Sequence, residues 1–545
     1  MEFSAETRRL NLKEMKNEQL DVLIIGGGIT GAGIALETSA SMMKTGLLEM
    51  QDFAAGTSSR STKLVHGGLR YLKQFEVEMV AEVSKERKII HQNASHIVRP
   101  TEMLLPVYQE PGASFTLFSA QVALKLYDEL ANLEQGEQHT FLSSEEVQTL
   151  QSNLATEQLS GAGLYLDYSS DDARLTIEIL KKAHEQGARV ANYVKVTDFI
   201  YDEKEQVIGV LATDQLTNET YTIHASVVIN ATGPWSSMLE KEMILRPTKG
   251  IHLVVDQSRL NVNQPIYTDT GYQDNRMIFI IPRGGKTYLG TTDTDYEGDL
   301  SHPLVTKEEV DYLLHAVNRR FPEANLRLTD IEASWAGIRP LLASGDEDHP
   351  SAVSRGSSLF QTEKGLITIA GGKLTDYRRM AEETVKVIVQ ELERKTGKGY
   401  ATVDTKNIRI SGGELPQGGA RGIFISEAIA KGGEVGLSES ETRTLVDWYG
   451  SNIFQVLKGE TFEGLSFIDS LSLRYALQHE MTLTPTDYFA RRTDLLLFRV
   501  QHLKEVQEAV IAAMSHYYGW DEVEKERQGT GFRQVFEESQ LTHLK

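Results

Sequence analysis

Gly26, Gly28 and Gly31 form G-x-G-x-x-G between a β-branched apolar run ending at Ile25 and a stretch from Ile29 to Glu37 whose apolar residues recur at helical spacing. The spacing predicts strand, tight turn and helix. Its chemistry is phosphate binding: glycines let backbone N–H groups approach a pyrophosphate, and the helix N-terminus meets that charge with its positive dipole end. A second apolar run, Thr45-Gly-Leu-Leu, ends in Glu49, about twenty residues beyond the glycines, where a carboxylate grips the ribose of a dinucleotide. Nicotinamide and flavin dinucleotides both satisfy this βαβ opening.

Other groups able to do chemistry cluster in short segments. Thr57, Ser58, Ser59, Ser61 and Thr62 place five hydroxyls in a loop ahead of His66-Gly67-Gly68 and Arg70-Tyr71, a composition suited to wrapping a polar cofactor. The apolar run ending at Asn230 leads into a second small-residue turn, Ala231-Thr232-Gly233, and a third strand–glycine pattern ends in Gly371-Gly372-Lys373-Leu374. His252 stands in Thr248-Lys-Gly-Ile-His; imidazole titrates near working pH, which makes it the candidate general base or the group polarising a substrate hydroxyl. His479-Glu480 lacks the second histidine of a zinc motif, and Asp293-Thr-Asp295 lacks the glycine and distal glutamate of a calcium loop. No metal is expected.

These segments need a large scaffold. The 545 residues carry 56 Lys+Arg against 77 Asp+Glu, a net charge of −21, which argues against nucleic-acid binding and requires any anionic ligand to be held by a local cluster of cations. Cysteine is absent, excluding disulfides and thiolate chemistry. The first twenty residues lack the apolar core of a signal peptide, and no stretch approaches the roughly eighteen apolar residues of a spanning helix. A cytoplasmic protein is expected, with a peripheral position on the cytoplasmic face of the membrane as the alternative. Residues 76–93 read as a solvated helix. The run 115–130 reads as a core-packed helix, with a membrane-contacting surface as the alternative. Strand patterns over 250–355 predict an inserted antiparallel sheet, residues 410–423 a glycine-rich linker, and the remainder a helical domain.

The motifs Gly26–Gly31, Lys63-Leu-Val-His-Gly-Gly-Leu-Arg-Tyr-Leu, Asn230-Ala-Thr-Gly-Pro-Trp, Trp335-Ala-Gly-Ile-Arg-Pro-Leu, Gly371-Gly-Lys-Leu-Thr and Leu483-Thr-Pro-Thr-Asp-Tyr-Phe-Ala-Arg-Arg-Thr together resemble the aerobic FAD-dependent glycerol-3-phosphate dehydrogenases, within the glycine-oxidase and amino-acid-oxidase-like flavoproteins. The resemblance covers nearly the whole chain. It implies an α/β fold with a discontinuous FAD-binding, Rossmann-like domain (19–91, 161–245 and 356–396). Around it the resemblance places an inserted, mostly antiparallel substrate domain (92–160 with 246–355), a linker (397–423) and an all-α cap (424–545).

It implies noncovalent FAD, with Gly26, Gly28, Gly31, Glu49, Thr57, Ser58, Ser59, His66, Ala231, Thr232, Gly233, Gly372, Lys373 and Leu374 as contacts. It further implies oxidation of sn-glycerol 3-phosphate to dihydroxyacetone phosphate by hydride transfer to flavin N5. Arg70, Tyr71, Arg339, Arg355 and Lys373 would bind substrate, with His252 and Arg339 at the reacting end. A helix starting at Gly372 would aim its positive end at the flavin. A membrane quinone as acceptor and a homodimer complete what the resemblance implies. The related α-glycerophosphate oxidases, which reduce oxygen, carry an extra surface segment with no evident counterpart here. An amine-oxidising flavoenzyme is the more distant alternative, and a flavin-binding tRNA-modifying protein is disfavoured by the net charge.

Overall fold

A computed structural model describes residues 2–69, 72, 77–241, 243–342 and 357–545. A buried parallel sheet is built on Leu20–Ile25, with Thr45–Leu48 and then Arg189–Ala191 on one side and Thr220–Asn230 and then Leu366–Gly371 on the other. Ser357–Gln361 adds an antiparallel edge. Every residue of Leu20–Ile25 is buried, as a β-branched and leucine run covered on both faces requires. Helices Ile29–Ala40, Asp172–Glu185 and Tyr377–Thr396 pack against this sheet in one core.

The second sheet has ten strands among the described residues, mostly antiparallel. Its long members are Arg99–Tyr108, Leu159–Ser169, Leu245–Asp256 and Ile331–Leu342, and the last two pair along their length with His252 opposite Trp335 and Thr248 opposite Arg339. Leu159–Ser169 pairs with Arg99–Tyr108, so the chain re-enters the first layer at the helix Asp172–Glu185 rather than at residue 161. Tyr193 takes φ +56° between the strands Arg189–Ala191 and Val194–Tyr201.

In the helix Leu117–Ala131, Ala120, Leu124 and Tyr127 are buried while Phe118 is 75% and Val122 52% exposed. The pattern is amphipathic: one face serves the core and the other carries apolar side chains in solvent. No helix among the described residues is long and apolar enough to cross a membrane.

The glycine-rich stretch is not slack. Ile410 N–H donates to Asn93 O and Ser411 N–H to Glu178 O, and helix Gly419–Glu434 begins inside the expected linker. The C-terminal helices dock through a buried ionic cluster. Asp52 lies in the loop after Glu49 and accepts from Arg492 (2.8 and 2.9 Å), Arg491 Nε (2.5 Å) and Asn192 Nδ2 (3.0 Å). Burial raises the Asp52 pKa, but the Arg492 and Arg491 charges outweigh it and hold the carboxyl at about 2.

Arg492→Ala leaves Asp52 buried without its main counter-charge and should cost about 3–5 kcal/mol, read as a drop in melting temperature. Because the folded pKa is depressed, the stability Asp52 contributes is complete above its ordinary value near ~4 and is lost as pH falls toward about 2. Asp52→Asn should flatten that acid decline; an unchanged decline would remove Asp52 as its source.

Candidate active site

The two sheets enclose a cavity of about 410 Å³. Its first half is the glycine turn. Gly26 takes φ +115°, and a Cβ there would strike the Ala231 carbonyl; a Cβ on Gly31 would strike Gly26 O. Gly28 is the N-cap of helix Ile29–Ala40 and has no side chain to close that end, while Ser58 Oγ, from a distant loop, accepts the Ile29 N–H at 2.9 Å. Glu49, at the end of Thr45–Leu48, accepts Gly27 N–H at 2.6 Å and Gln51 N–H at 2.8 Å. Its burial pushes the carboxyl pKa up against the lowering effect of those two N–H groups.

The second half is basic and aromatic. Arg339 Nη1 donates to Asp293 Oδ1 (3.0 Å), and Nη2 to Thr291 Oγ1 (3.1 Å) and Thr292 O (3.2 Å), which orients a guanidinium that is 20% exposed. Gly250, on the strand paired with that of Arg339, leaves the space the guanidinium occupies: a Cβ there would push Arg339 Nη2 aside. His252 is 2% exposed, stacks on Trp335 with ring centroids 4.6 Å apart and planes 8° apart, and bonds Thr62 Oγ1 through Nε2 at 2.9 Å. Burial, followed by the positive charges of Arg339 and Lys63, drives its pKa well below the ordinary 6.5, so the imidazole is neutral at working pH.

The halves are stitched together by the hydroxyl loop. Thr57 Oγ1 donates to Ile338 O at 2.6 Å, beside Arg339, and Trp335 Nε1 donates to Ser61 O at 3.1 Å. Thr375 Oγ1 donates to His66 O at 3.3 Å. Below His66, the Gly67 N–H donates to Tyr127 Oη (2.8 Å) and Asp167 Oδ1 (3.1 Å), a pair that Arg87 neutralises.

Of the residues singled out from sequence, Gly26, Gly28, Glu49, Thr57, Ser58, His66, Ala231, Thr232, Gly233, His252, Arg339, Gly372, Lys373 and Leu374 line this one cavity. Gly31 and Ser59 are set back from it: Gly31 makes the helix–strand contact, and Ser59 O accepts from Lys63 Nζ at 3.2 Å. Arg70, Tyr71 and Arg355 lie outside the described residues. The helix expected from Gly372 starts later, as a 3-10 turn at Leu374–Asp376 and then Tyr377–Thr396, because the Asp376 carboxylate caps Lys373 N–H at 2.6 Å.

Three groups escaped the sequence reading. Arg60 and Arg276 line the cavity, and Arg276 donates to the Asp293 carbonyl. Asp293, set aside with a failed calcium motif, is the residue that seats Arg339. The calcium-loop test asks only about a local ligand pattern, and a carboxylate serving a strand 46 residues away is invisible to it.

Residues 21–378 match the family described as FAD dependent oxidoreductase, and 403–525 the C-terminal domain of alpha-glycerophosphate oxidase. The alpha-glycerophosphate oxidases of Streptococcus pyogenes serotype M6 and Enterococcus casseliflavus are each 47% identical, across 100% of this chain and 99% of theirs. These alignments run over 609 positions against the 545 residues here, so 64 positions have no counterpart in this chain. Among solved structures, the glycerol-3-phosphate dehydrogenase from Bacillus halodurans complexed with FAD superposes with TM-score 0.83 at 40% identity, covering 98% of each chain. The L-alpha-glycerophosphate oxidase from Mycoplasma pneumoniae shares the fold at TM-score 0.54 and 17% identity, over 72% of this chain and 98% of that one.

Gly31→Ala places a methyl group against Gly26 O and should displace the helix from the strand end. The expected result is folded protein with most of its bound dinucleotide lost, read from the ratio of visible to protein absorbance; full retention would show that the turn tolerates the shift.

Proposed function

Because the chain belongs to the FAD dependent oxidoreductase family, we propose that it oxidises sn-glycerol 3-phosphate to dihydroxyacetone phosphate and passes the electrons to a quinone. The observation that carries this reading is one cavity holding both a dinucleotide cradle and, continuous with it, Arg339, Lys373 and a neutral His252. The cradle fits FAD: the collision-limited turn at Gly26, the helix start at Gly28, whose own residue has no side chain, and the buried Glu49 carboxylate suit pyrophosphate and ribose. Glu49 would hold the adenosine ribose, Thr57, Ser58 and Ala231–Gly233 the middle of the cofactor, and Gly372–Leu374 the ring end. Bound FAD supplies the hydride acceptor.

The chain's own residues do the rest. Arg339 binds the substrate phosphate through a guanidinium already turned by Asp293, Thr291 and Thr292, so little ordering entropy is lost on binding. Lys373 adds a point charge. A phosphate needs such a local cluster because the chain as a whole is strongly acidic. His252 takes the hydroxyl proton. Its stack on Trp335 and its Thr62 bond fix the ring, and its lowered pKa keeps it unprotonated and ready to accept.

Two observations bear on the acceptor. The Bacillus halodurans dehydrogenase matches this chain over 98% of each, whereas the Streptococcus pyogenes and Enterococcus casseliflavus oxidases carry 64 positions that it lacks; both observations support the quinone reading. The higher identity of the oxidases favours oxygen as the second reading. The exposed Phe118 and Val122 suit peripheral contact with the membrane that holds a quinone. Mixing substrate-reduced enzyme with oxygen or with a soluble quinone analogue separates the two: fast reoxidation by the quinone and slow reoxidation by oxygen is expected, and the reverse order makes the protein an oxidase.

Arg339→Ala should raise the KM for glycerol 3-phosphate by roughly 10- to 100-fold while FAD stays bound, the loss of a charge-assisted contact of about 1.5–3 kcal/mol. Unchanged kinetics would take Arg339 out of the site. Because the His252 pKa is lowered, kcat/KM should hold as pH falls through 6.5, the value of an ordinary histidine. A decline centred there would mean that a different, ordinary histidine titrates.

A further inference from the structure

Among the described residues, six buried arginines each meet a carboxylate. Arg8 pairs with Asp214, Arg87 with Asp167, Arg174 with Glu480, Arg320 with Glu110, Arg378 with Glu86 and Arg492 with Asp52. The pattern follows from the cost of burying an unpaired charge. Arg60 departs from it. Arg60 is half-buried and lines the cavity, and no hydrogen bond or ion pair from its guanidinium is found among the described residues. Burial and then the like charge of Arg491, against a weaker pull from Glu538, lower its pKa to about 10, still far above neutrality. A guanidinium that stays charged on a cavity-lining residue, with no counter-ion among the described residues, is a receptor for an anion.

Its place in the chain narrows the anion's chemistry. Ser58, two residues before Arg60, caps the start of the helix that the glycine turn presents to a pyrophosphate; Thr57 ties the same loop to the strand of Arg339. The backbone is fixed as well. Arg60 N–H donates to Thr57 O at 3.1 Å, and Gly337 leaves just enough room for the Arg60 carbonyl. We propose that Arg60 is an anion-binding residue of this site, holding a phosphate group in the cavity: the pyrophosphate of FAD or the phosphate of the substrate. The first source rests on the family's cofactor and the second on the substrate reading above.

The test uses the holoenzyme with Arg60→Gln and Arg60→Lys, and reads two quantities: the rate of FAD release on dilution, followed by flavin fluorescence, and the KM for glycerol 3-phosphate. If the pyrophosphate is the ligand, Arg60→Gln should release FAD roughly 10- to 100-fold faster with KM unchanged. Its release should also depend less on ionic strength than that of the wild type, because one charged contact has gone. If the substrate phosphate is the ligand, FAD is retained and KM rises by a similar factor. Arg60→Lys keeps the charge but not the fork, so it should show the same effect in smaller measure and serves alone if Arg60→Gln does not fold. Wild-type values of both quantities in a folded variant overturn the proposal, as does faster release with an unaltered salt dependence, the mark of a merely structural residue. Should glycerol 3-phosphate fail to reduce even the wild type, the substrate reading falls while FAD release still decides Arg60.

Discussion

Where the helix Ile29–Ala40 leaves the strand Leu20–Ile25, the backbones come so close that a methyl group on Gly31 would occupy the Gly26 carbonyl. That contact fixes the position and direction of the helix start, and the rest of the site is referenced to it. Glu49 reaches Gly27 N–H from the neighbouring strand, Ser58 reaches Ile29 N–H from the hydroxyl loop, and Thr57 of the same loop reaches the Ile338 carbonyl in the second sheet. A short series of backbone-anchored hydrogen bonds therefore links the dinucleotide cradle to Arg339. Catalytic geometry is sensitive to displacements of about 1 Å, so this linkage matters for function more than its modest contribution to stability suggests.

Electrostatics divides the molecule in two. Outside, the chain is acidic, and inside, most buried guanidiniums are neutralised one by one by carboxylates. The cavity gathers Arg60, Arg276, Arg339 and Lys373 in its lining, more cations than the carboxylates Glu49, Asp167 and Asp293 beside them. Field lines concentrate in such a cleft, which gives an acidic protein a place for a phosphorylated substrate and a phosphate-bearing cofactor. The same positive surroundings, with burial, keep His252 neutral. In the function proposed above, one charge distribution serves binding and proton transfer together.

Much of this was legible in the sequence because it is local. The glycine spacing located Glu49, and strand patterns placed antiparallel sheet over 250–355, although Leu159–Ser169, read with the nucleotide layer, belongs to the second sheet. What depends on distant partners was not. Asp52 meets Arg492 across 440 residues, so the C-terminal helices read as a separate cap although they reach the loop beside Glu49. Arg60 lies between Ser59 and Ser61 of the hydroxyl loop and looked like filler, since a charge without a partner is recognisable only once its neighbours are placed. The 115–130 helix had a buried face and an exposed apolar face at once, which periodicity alone reports as simply apolar. The late start of the helix after Gly372 follows from one side-chain cap, Asp376, that propensity does not reveal.

The central claim is that a flavin and a phosphorylated secondary alcohol occupy adjoining halves of one cavity. The most direct measurement is the visible spectrum of the purified protein under anaerobic conditions, before and after addition of sn-glycerol 3-phosphate, with glycerol and glycine as controls. Bleaching of an initial flavin band by glycerol 3-phosphate alone is the expected result. A flavin band that persists with glycerol 3-phosphate, or bleaches equally with glycerol, would contradict the assignment of the basic half of the cavity to the substrate phosphate.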